Sequence, residues 1–234
     1  MNSEDVLGLF RCPIDGSRII AKWRCEKGHE FREEEGIVNF LMKDVKTHDV
    51  LEKVAPFYET VWAPLGLTLT AGTTYSSIMK SAASVMGEKH LDVGTGSGKL
   101  FDFAKCKTCV GLDISLKFLR YLKRKRPNVL VVRGDARNLP FSDNAFDSVS
   151  SLFVIHMLDD PIQAIKEIAR VLKPNGRGVI IVMSDNNFID RALANWWGLK
   201  LRSYDYYLGS LSTYFDVKSA KKMGAWSYFE IAKK

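Results

Sequence analysis

"HLDVGTGSGKL", residues 90 to 100, sets Gly94, Gly96 and Gly98 directly after a strand-like run and before a helix-like one. Glycines in that position let the backbone turn sharply and let a ligand approach it closely. A phosphate-binding loop would need GxxxxGK followed by Ser or Thr. Val93 occupies the place of its first glycine and Leu100 follows Lys99, so that reading fails at both ends. A dinucleotide loop fails on charge, because Asp92 lies two residues before Gly94 and would repel a pyrophosphate. A ligand bearing an ammonium or sulfonium group would be attracted instead.

Working outward from this loop, short apolar runs alternate with helical patterns from Lys89 onward. The strand candidates are "KHLDVG", "CVGLDI", "VLVVRGD", "FDSVSSLFV" and "RGVIIVM". Helical patterns lie around "GKLFDFAKC", "SLKFLRYLKRKR" and "PIQAIKEIARVLK", with a further short helix expected after "NLPFSDN". This alternation predicts an α/β fold with a mostly parallel sheet covered by helices on both faces. Toward the C-terminus, "DVKSAKKMG" reads as helical and "WSYFEIAK" as a final alternating strand, while the aromatic stretch "NWWGLKLRSYDYYLGSLSTYF" gives no clear strand assignment.

Four ordered motifs carry a family resemblance. "DVGTGSG" resembles the first motif of the class I S-adenosylmethionine-dependent methyltransferases. "GLDIS", "GDARNLPF" and "NAFDSVSSLFVIHMLDDPIQAIKEIARVLKPNGRGVII" continue it in order, the last being similar to the group that includes ubiquinone and menaquinone biosynthesis enzymes. The resemblance implies a Rossmann-like, doubly wound sheet over residues 89–234. It implies S-adenosylmethionine as cofactor, bound by Asp92, Gly94, Thr95, Gly96, Gly98 and Ile114, with Asp113 at the ribose and Asp135 and Ala136 at the adenine. The bland alternatives are a strand-end cap for Asp92 and a helix N-cap for Asp113.

Transfer of a methyl group from a sulfonium needs alignment and exclusion of water more than it needs catalytic side chains. The one catalytic candidate is His156, just past the fourth strand at the edge where open α/β folds bind ligands. Packing against the cofactor or capping the next helix is the competing reading. Asp159 and Asp160, ahead of Pro161, read as the start of a helix.

The front of the chain, "RCPIDGSRIIAKWRCEKGHEF" at residues 11 to 31, has the two turns of a zinc ribbon with an aspartate where the second thiolate is expected. Together with "EGIVNFL" it resembles the N-terminal ribbon of the bacterial 23S rRNA guanine-N1 methyltransferases. That likeness implies Cys12, Asp15, Cys25 and His29 as ligands of a structural zinc. Residues 1–42 are therefore read as a zinc-ribbon-like module and residues 43–88 as a helical linker or lid over the cofactor site. In the lid, "VAPFYETVW" resembles the helix that precedes the fold in the quinone-type enzymes, which implies that Tyr58 lies near the cofactor.

The two halves pull the acceptor in different directions. The ribbon suggests ribosomal RNA, whereas Phe57, Trp62, Trp196, Trp197, Tyr204, Tyr206 and Tyr207 could line an apolar pocket for a small or lipid-like acceptor, which is slightly favoured. A protein that senses S-adenosylmethionine and docks a partner without turnover is the alternative from another class. The net charge of +7 suits anionic partners without requiring them, and the basic run from Lys117 to Arg126 reads as a solvated helix end. Cys106 and Cys109 read as incidental and as strand packing. No stretch approaches the roughly 20 apolar residues of a membrane span and the start lacks a signal pattern, so a cytoplasmic protein is expected.

Overall fold

The computed structural model describes residues 6–21, 23–43, 59, 61, 63–185 and 200–234. The expected helix over "KDVKTHDVLEKVA" and the residues Phe57, Tyr58, Trp62, Trp196 and Trp197 lie outside that set.

Nine strands form one sheet whose centre is the predicted alternation. β5 (Lys89–Val93), β6 (Thr108–Asp113), β7 (Leu130–Arg133), β8 (Phe146–Leu152) and β9 (Leu172–Met183) run parallel, in the order β7, β6, β5, β8, β9. β5 carries no exposed position and its apolar side chains are buried, as a strand covered on both faces must be. Two C-terminal strands, β10 (Phe215–Met223) and β11 (Trp226–Lys233), complete one flank, with β11 antiparallel to both β9 and β10. The helix expected at "DVKSAKKMG" is thus a strand. Its burial alternates only weakly, and cross-strand pairing with β11 from Phe215 to Met223 overrides the helical pattern of its lysines and alanines. The chain turns back at Gly224, which has φ +58°.

Helices cover both faces. α1 (Ala63–Ala71) and α2 (Tyr75–Ala83) pack with Leu100, Leu152, Val179, Ile181 and Tyr228. α3 (Leu116–Lys125) follows β6, α4 (Pro161–Val171) follows β8, and α5 (Tyr204–Tyr214) occupies part of the aromatic stretch. Each of α2 to α5 opens on a side-chain cap: Thr74, Ser115, Asp160 and Ser203 accept from Ser77, Phe118, Gln163 and Tyr206 N–H groups. Asp160 therefore caps α4 as read from sequence. No helix follows "NLPFSDN"; Asn144 makes the turn into β8 with φ +53°. "GKLFDFAKC" gives only a 3-10 segment, Lys99–Phe103.

The front segment continues the sheet. β1 (Ile19–Ala21) and β2 (Arg24–Cys25) form a small antiparallel pair, while β4 (Ile37–Asn39) lies parallel against β7 and β3 (Arg32–Glu34) lies antiparallel outside it. Phe10, Phe31 and Phe40 of this segment join Phe141 in the main core, with the Phe10 and Phe141 rings 5.2 Å apart. Cys106 and Cys109 are joined by a disulfide where the chain enters β6, a pairing that the reading of both as unbonded residues missed. No helix among the described residues is long and apolar enough to cross a membrane.

Candidate active site

The ends of β5, β6, β7 and β8 meet at the carboxyl edge of the sheet, where open α/β folds hold their ligands. Asp92 is one residue from the end of β5 and is wholly buried. The Ser150 hydroxyl on β8 donates to it at 2.5 Å. Burial pushes the Asp92 carboxyl up to about 6, and the neighbouring Asp113 adds to the rise, against the opposing effect of the Ser150 and Thr95 hydroxyls. Behind Ser150 stands His90, also buried, with Nε2 2.9 Å from the Ser150 oxygen and Nδ1 2.8 Å from Ser148. Ser150 has a single proton and gives it to Asp92, so its oxygen accepts from Nε2–H and Nδ1 accepts from Ser148. Burial holds the His90 imidazole neutral, its pKa pushed down to about 3.

Asp113 closes β6. One carboxylate oxygen accepts from Gly96 N–H at 2.8 Å and the other from Ser115 N–H at 2.9 Å. The cap of α3 is Ser115, so Asp113 is tied instead to the glycine loop.

The three loop glycines have different duties. All have positive φ. A Cβ on Gly94 would fall 2.3 Å from Val154, and one on Gly98 2.3 Å from Leu122, so these two sites are already filled by the protein. A Cβ on Gly96 would meet nothing within 4 Å. Gly96 thus faces open space while its N–H is held by the Asp113 carboxylate, so a group approaching there would meet bare backbone beside that carboxylate.

Asp135 and Ala136 follow β7 in a tight turn, with Asn138 N–H donating to the Asp135 carbonyl at 3.0 Å. The Arg137 guanidinium donates to both Asp135 carboxylate oxygens, at 2.7 and 3.0 Å, and the Arg137 backbone N–H to one of them at 2.8 Å. Burial would raise this carboxyl, and the Arg137 guanidinium and backbone N–H outweigh it and hold it low.

These features coincide with a match between residues 91–180 and the family model described as "Methyltransferase domain". The chain carries a methyltransferase domain of the class I fold. A demethylmenaquinone methyltransferase of Renibacterium salmoninarum is 33% identical over 141 residues, 59% of this chain and 59% of that protein. One from Paenarthrobacter aurescens is 36% identical over 138 residues, 58% of this chain and 54% of that protein. The match thus spans less than two thirds of either relative's length. Among solved structures, an S-adenosylmethionine-dependent methyltransferase of Thermotoga maritima superposes with a TM-score of 0.63 at 20% identity, over 80% of this chain and 99% of that one. That likeness establishes the fold.

Within the methyltransferase domain, His156 sits on the loop after β8 that also supplies Val154 to the glycine loop. It is buried edge-on to Trp226, ring centres 5.4 Å apart, and its Nδ1 has no hydrogen-bond partner among the described residues. Burial pushes its pKa down to about 3, so the ring is neutral at ordinary pH. Phe153 also meets Trp226 edge-on at 4.9 Å, and the Trp226 indole donates to Thr70 on α1 at 2.8 Å. Tyr204 and Tyr207 pack into the opposite face with α4 and β11, Tyr204 stacking on Phe229 at 5.4 Å, so they serve as core there.

Arg126, just after α3, is not part of a solvated helix end as the basic run reads in sequence; its side chain is largely buried. It donates to the Ser97 carbonyl in the glycine loop at 2.9 Å, to Asp102 at 2.7 Å and to both oxygens of Glu59 at 3.1 and 3.3 Å. Glu59, the sequence neighbour of Tyr58, is thereby tied to the glycine loop. Arg120 of the same helix pairs with Glu35 at 3.0 Å, so the basic run is partly consumed within the protein.

Far from the glycine loop, Cys12, Asp15, Cys25 and His29 present one donor atom each, all within 4.8 Å of one another. His29 Nδ1 is 3.6 Å from Cys12 Sγ, 3.5 Å from Cys25 Sγ and 3.0 Å from Asp15 Oδ2. Ser17 occupies the other oxygen, Asp15 Oδ1, through its N–H and hydroxyl, which leaves Oδ2 turned toward the cluster and His29 Nδ1. Burial would raise the Cys25 thiol, and hydrogen bonds from Ser17 and from the backbone at His29 and Lys27 outweigh it and bring it to about 6.

Proposed function

We propose that this chain is an S-adenosylmethionine-dependent methyltransferase acting on a small, apolar, lipid-like acceptor. The observation that carries the reading is the open side of Gly96, held by its N–H to the Asp113 carboxylate, in the loop that follows Asp92 and Val93 at the end of β5. When bound, S-adenosylmethionine supplies an activated methyl group on a cationic sulfur. Asp92 offers negative charge to the cationic portion, Asp113 accepts from hydroxyls, and Gly94, Thr95, Gly96 and Gly98 give the backbone room. Ile114, Asp135 and Ala136 line the nucleobase end, Asp135 with its carboxylate already paired to Arg137. Tyr58 is assigned to the same pocket on the resemblance.

His156 is proposed to align the acceptor. A ring held neutral with a pKa of about 3 is a poor proton acceptor, but its Nδ1, unpartnered among the described residues, can accept a hydrogen bond from an acceptor hydroxyl. The aromatic walls of Phe153 and Trp226 beside it favour an apolar acceptor over a polyanion. The names of the curated relatives, demethylmenaquinone methyltransferases, support the same class.

The ribbon is proposed to hold a structural zinc on Cys12, Asp15, Cys25 and His29. Two thiols, an imidazole and a carboxylate make a legitimate tetrahedral set, and contacts of 3.0 to 3.6 Å approximate the edge of a zinc tetrahedron, about 3.5 Å. Asp15 Oδ2 is turned away from Ser17 toward the two thiols and His29, which is where a shared cation would draw it.

Transfer of tritiated methyl from S-adenosylmethionine into lipid, RNA and protein fractions tests the function. Label in the lipid fraction, and methylation of demethylmenaquinone in particular, supports it. Label in RNA alone replaces the acceptor class, and no label anywhere with intact cofactor binding points to a sensor.

A further inference from the structure

The segment after β7 is gripped by the ribbon. Asn138 reaches across to the metal-site turn and donates from its side-chain amide to the Pro13 carbonyl at 2.9 Å. Pro13 lies between the donors Cys12 and Asp15, in a turn closed by Gly16 N–H to the Cys12 carbonyl at 2.8 Å. The same Asn138 closes the Asp135 turn with its backbone N–H. Next to it, Arg11 N–H donates to the Pro140 carbonyl at 3.1 Å and Ser142 N–H to the Leu9 carbonyl at 2.8 Å. One residue therefore belongs to two turns, one built around four metal donors and the other carrying the nucleobase side of the cofactor cleft.

We propose that Asn138 is a positioning residue through which the ribbon sets the Asp135–Ala136 turn, so that metal on the Cys12, Asp15, Cys25 and His29 cluster and cofactor in the cleft bind cooperatively. The inference rests on the zinc and cofactor readings given above. A metal that draws Cys12 and Asp15 together fixes the intervening Pro13 carbonyl, and a fixed acceptor holds Asn138 and with it the Asp135 turn. Cofactor binding then orders less backbone and is tighter. Linkage makes the effect reciprocal: cofactor must tighten zinc by the same factor.

Isothermal titration of the full chain with S-adenosylhomocysteine, once zinc-loaded and once after chelation, reads the coupling. Zinc loading is expected to tighten binding about tenfold, within the usual range of coupling between sites. Asn138→Leu is expected to bind zinc as the parent does and to bind S-adenosylhomocysteine with one affinity, loaded or not. Asn138→Asp, which keeps the shape and loses the donor, is expected to match it and guards against a packing artefact. A ribbon that merely stabilises the fold would leave the tenfold ratio intact in both variants, which overturns the role of Asn138. Equal affinities in a parent shown to hold zinc overturn the coupling alone. A parent that takes up no zinc overturns the metal reading, and one that takes up zinc but not S-adenosylhomocysteine overturns the cofactor reading.

Discussion

Ser150 on β8 donates its hydroxyl proton to Asp92 on β5, and this hydrogen bond opposes the rise that burial imposes on the carboxyl. A ligand that presents an ammonium group, as S-adenosylhomocysteine does, prefers Asp92 ionised. Because the free protein's carboxyl titrates at about 6, affinity for S-adenosylhomocysteine should be level above pH 7. It should fall toward tenfold per unit below pH 6, with one proton released per ligand bound. Asp92→Asn should bind weakly and without this pH dependence. Ser150→Ala should move the midpoint upward, and a midpoint that stays put by calorimetry across pH would refute the assignment.

His90 and His156 make acid a threat to the fold. Both have folded values near 3 against about 6.5 when unfolded, so between these limits the unfolded chain binds more protons and stability falls as pH falls. Asp92 acts oppositely between 3.8 and about 6, since there the folded state holds the extra proton. These three groups together leave about one proton net, or ~1.4 kcal/mol lost per pH unit near pH 5. Replacing His90 with Asn should flatten that slope, measured by urea unfolding at pH 6 and pH 4.5.

Removing Arg126 leaves Glu59 buried without its partner. Arg126→Met should cost about 3 kcal/mol of unfolding free energy, in the range for one half of a buried pair. It should also weaken cofactor binding, because the Ser97 carbonyl loses its donor. Glu59→Gln should be milder, since an amide oxygen can still accept. Equal stability of all three proteins in urea would contradict this account.

The loop glycines separate stability from binding. Gly94→Ala must displace Val154 and should lower stability by about 2 kcal/mol, as overpacked sites do. Gly96→Ala meets no neighbour and should cost about 1 kcal/mol for its left-handed φ. Calorimetry should nevertheless find its cofactor binding the more damaged of the two; the reverse ranking would show that the open side of Gly96 does not face the ligand.

Asp15→Cys would give the first turn of the ribbon its second thiolate. Zinc should bind more tightly than in the parent, at one ion per chain, as metal analysis after competition with a chelator would report. Asp15→Ala should retain less zinc than either.

Legibility in the sequence followed the range of the interactions. The central strands are readable because short segments with apolar residues at their buried positions alternate with helical patterns, and Asp92 and Asp113 because they sit at fixed offsets from glycine turns. β10 was misread because its lysines and alanines favour a helix locally, while its partner β11 follows only after the turn at Gly224. The Arg126–Glu59 pair, 67 residues apart, and the Asn138–Pro13 bond, 125 apart, carry no local signal at all. His90 looked like one more strand residue. Its meaning depends on Ser148 and Ser150, placed beside it by the pairing of β5 with β8. Cys106 and Cys109 read as incidental and as strand packing when each is considered by itself, whereas the disulfide depends on the turn that brings the two together.

The pairing of β4 with β7 also settles what the sheet shows to its neighbours. On that flank the outermost strand is β3, three residues long, with Arg32, Glu33 and Glu34 all exposed. A short charged border is a poor template for another chain. Cutting the protein after residue 43 would instead uncover the backbone rim of β7, whose Val131 and Val132 are now fully buried. The shortened protein should self-associate at concentrations where the full chain stays monodisperse in light scattering. The ribbon thus serves as a selvedge that keeps the sheet from growing.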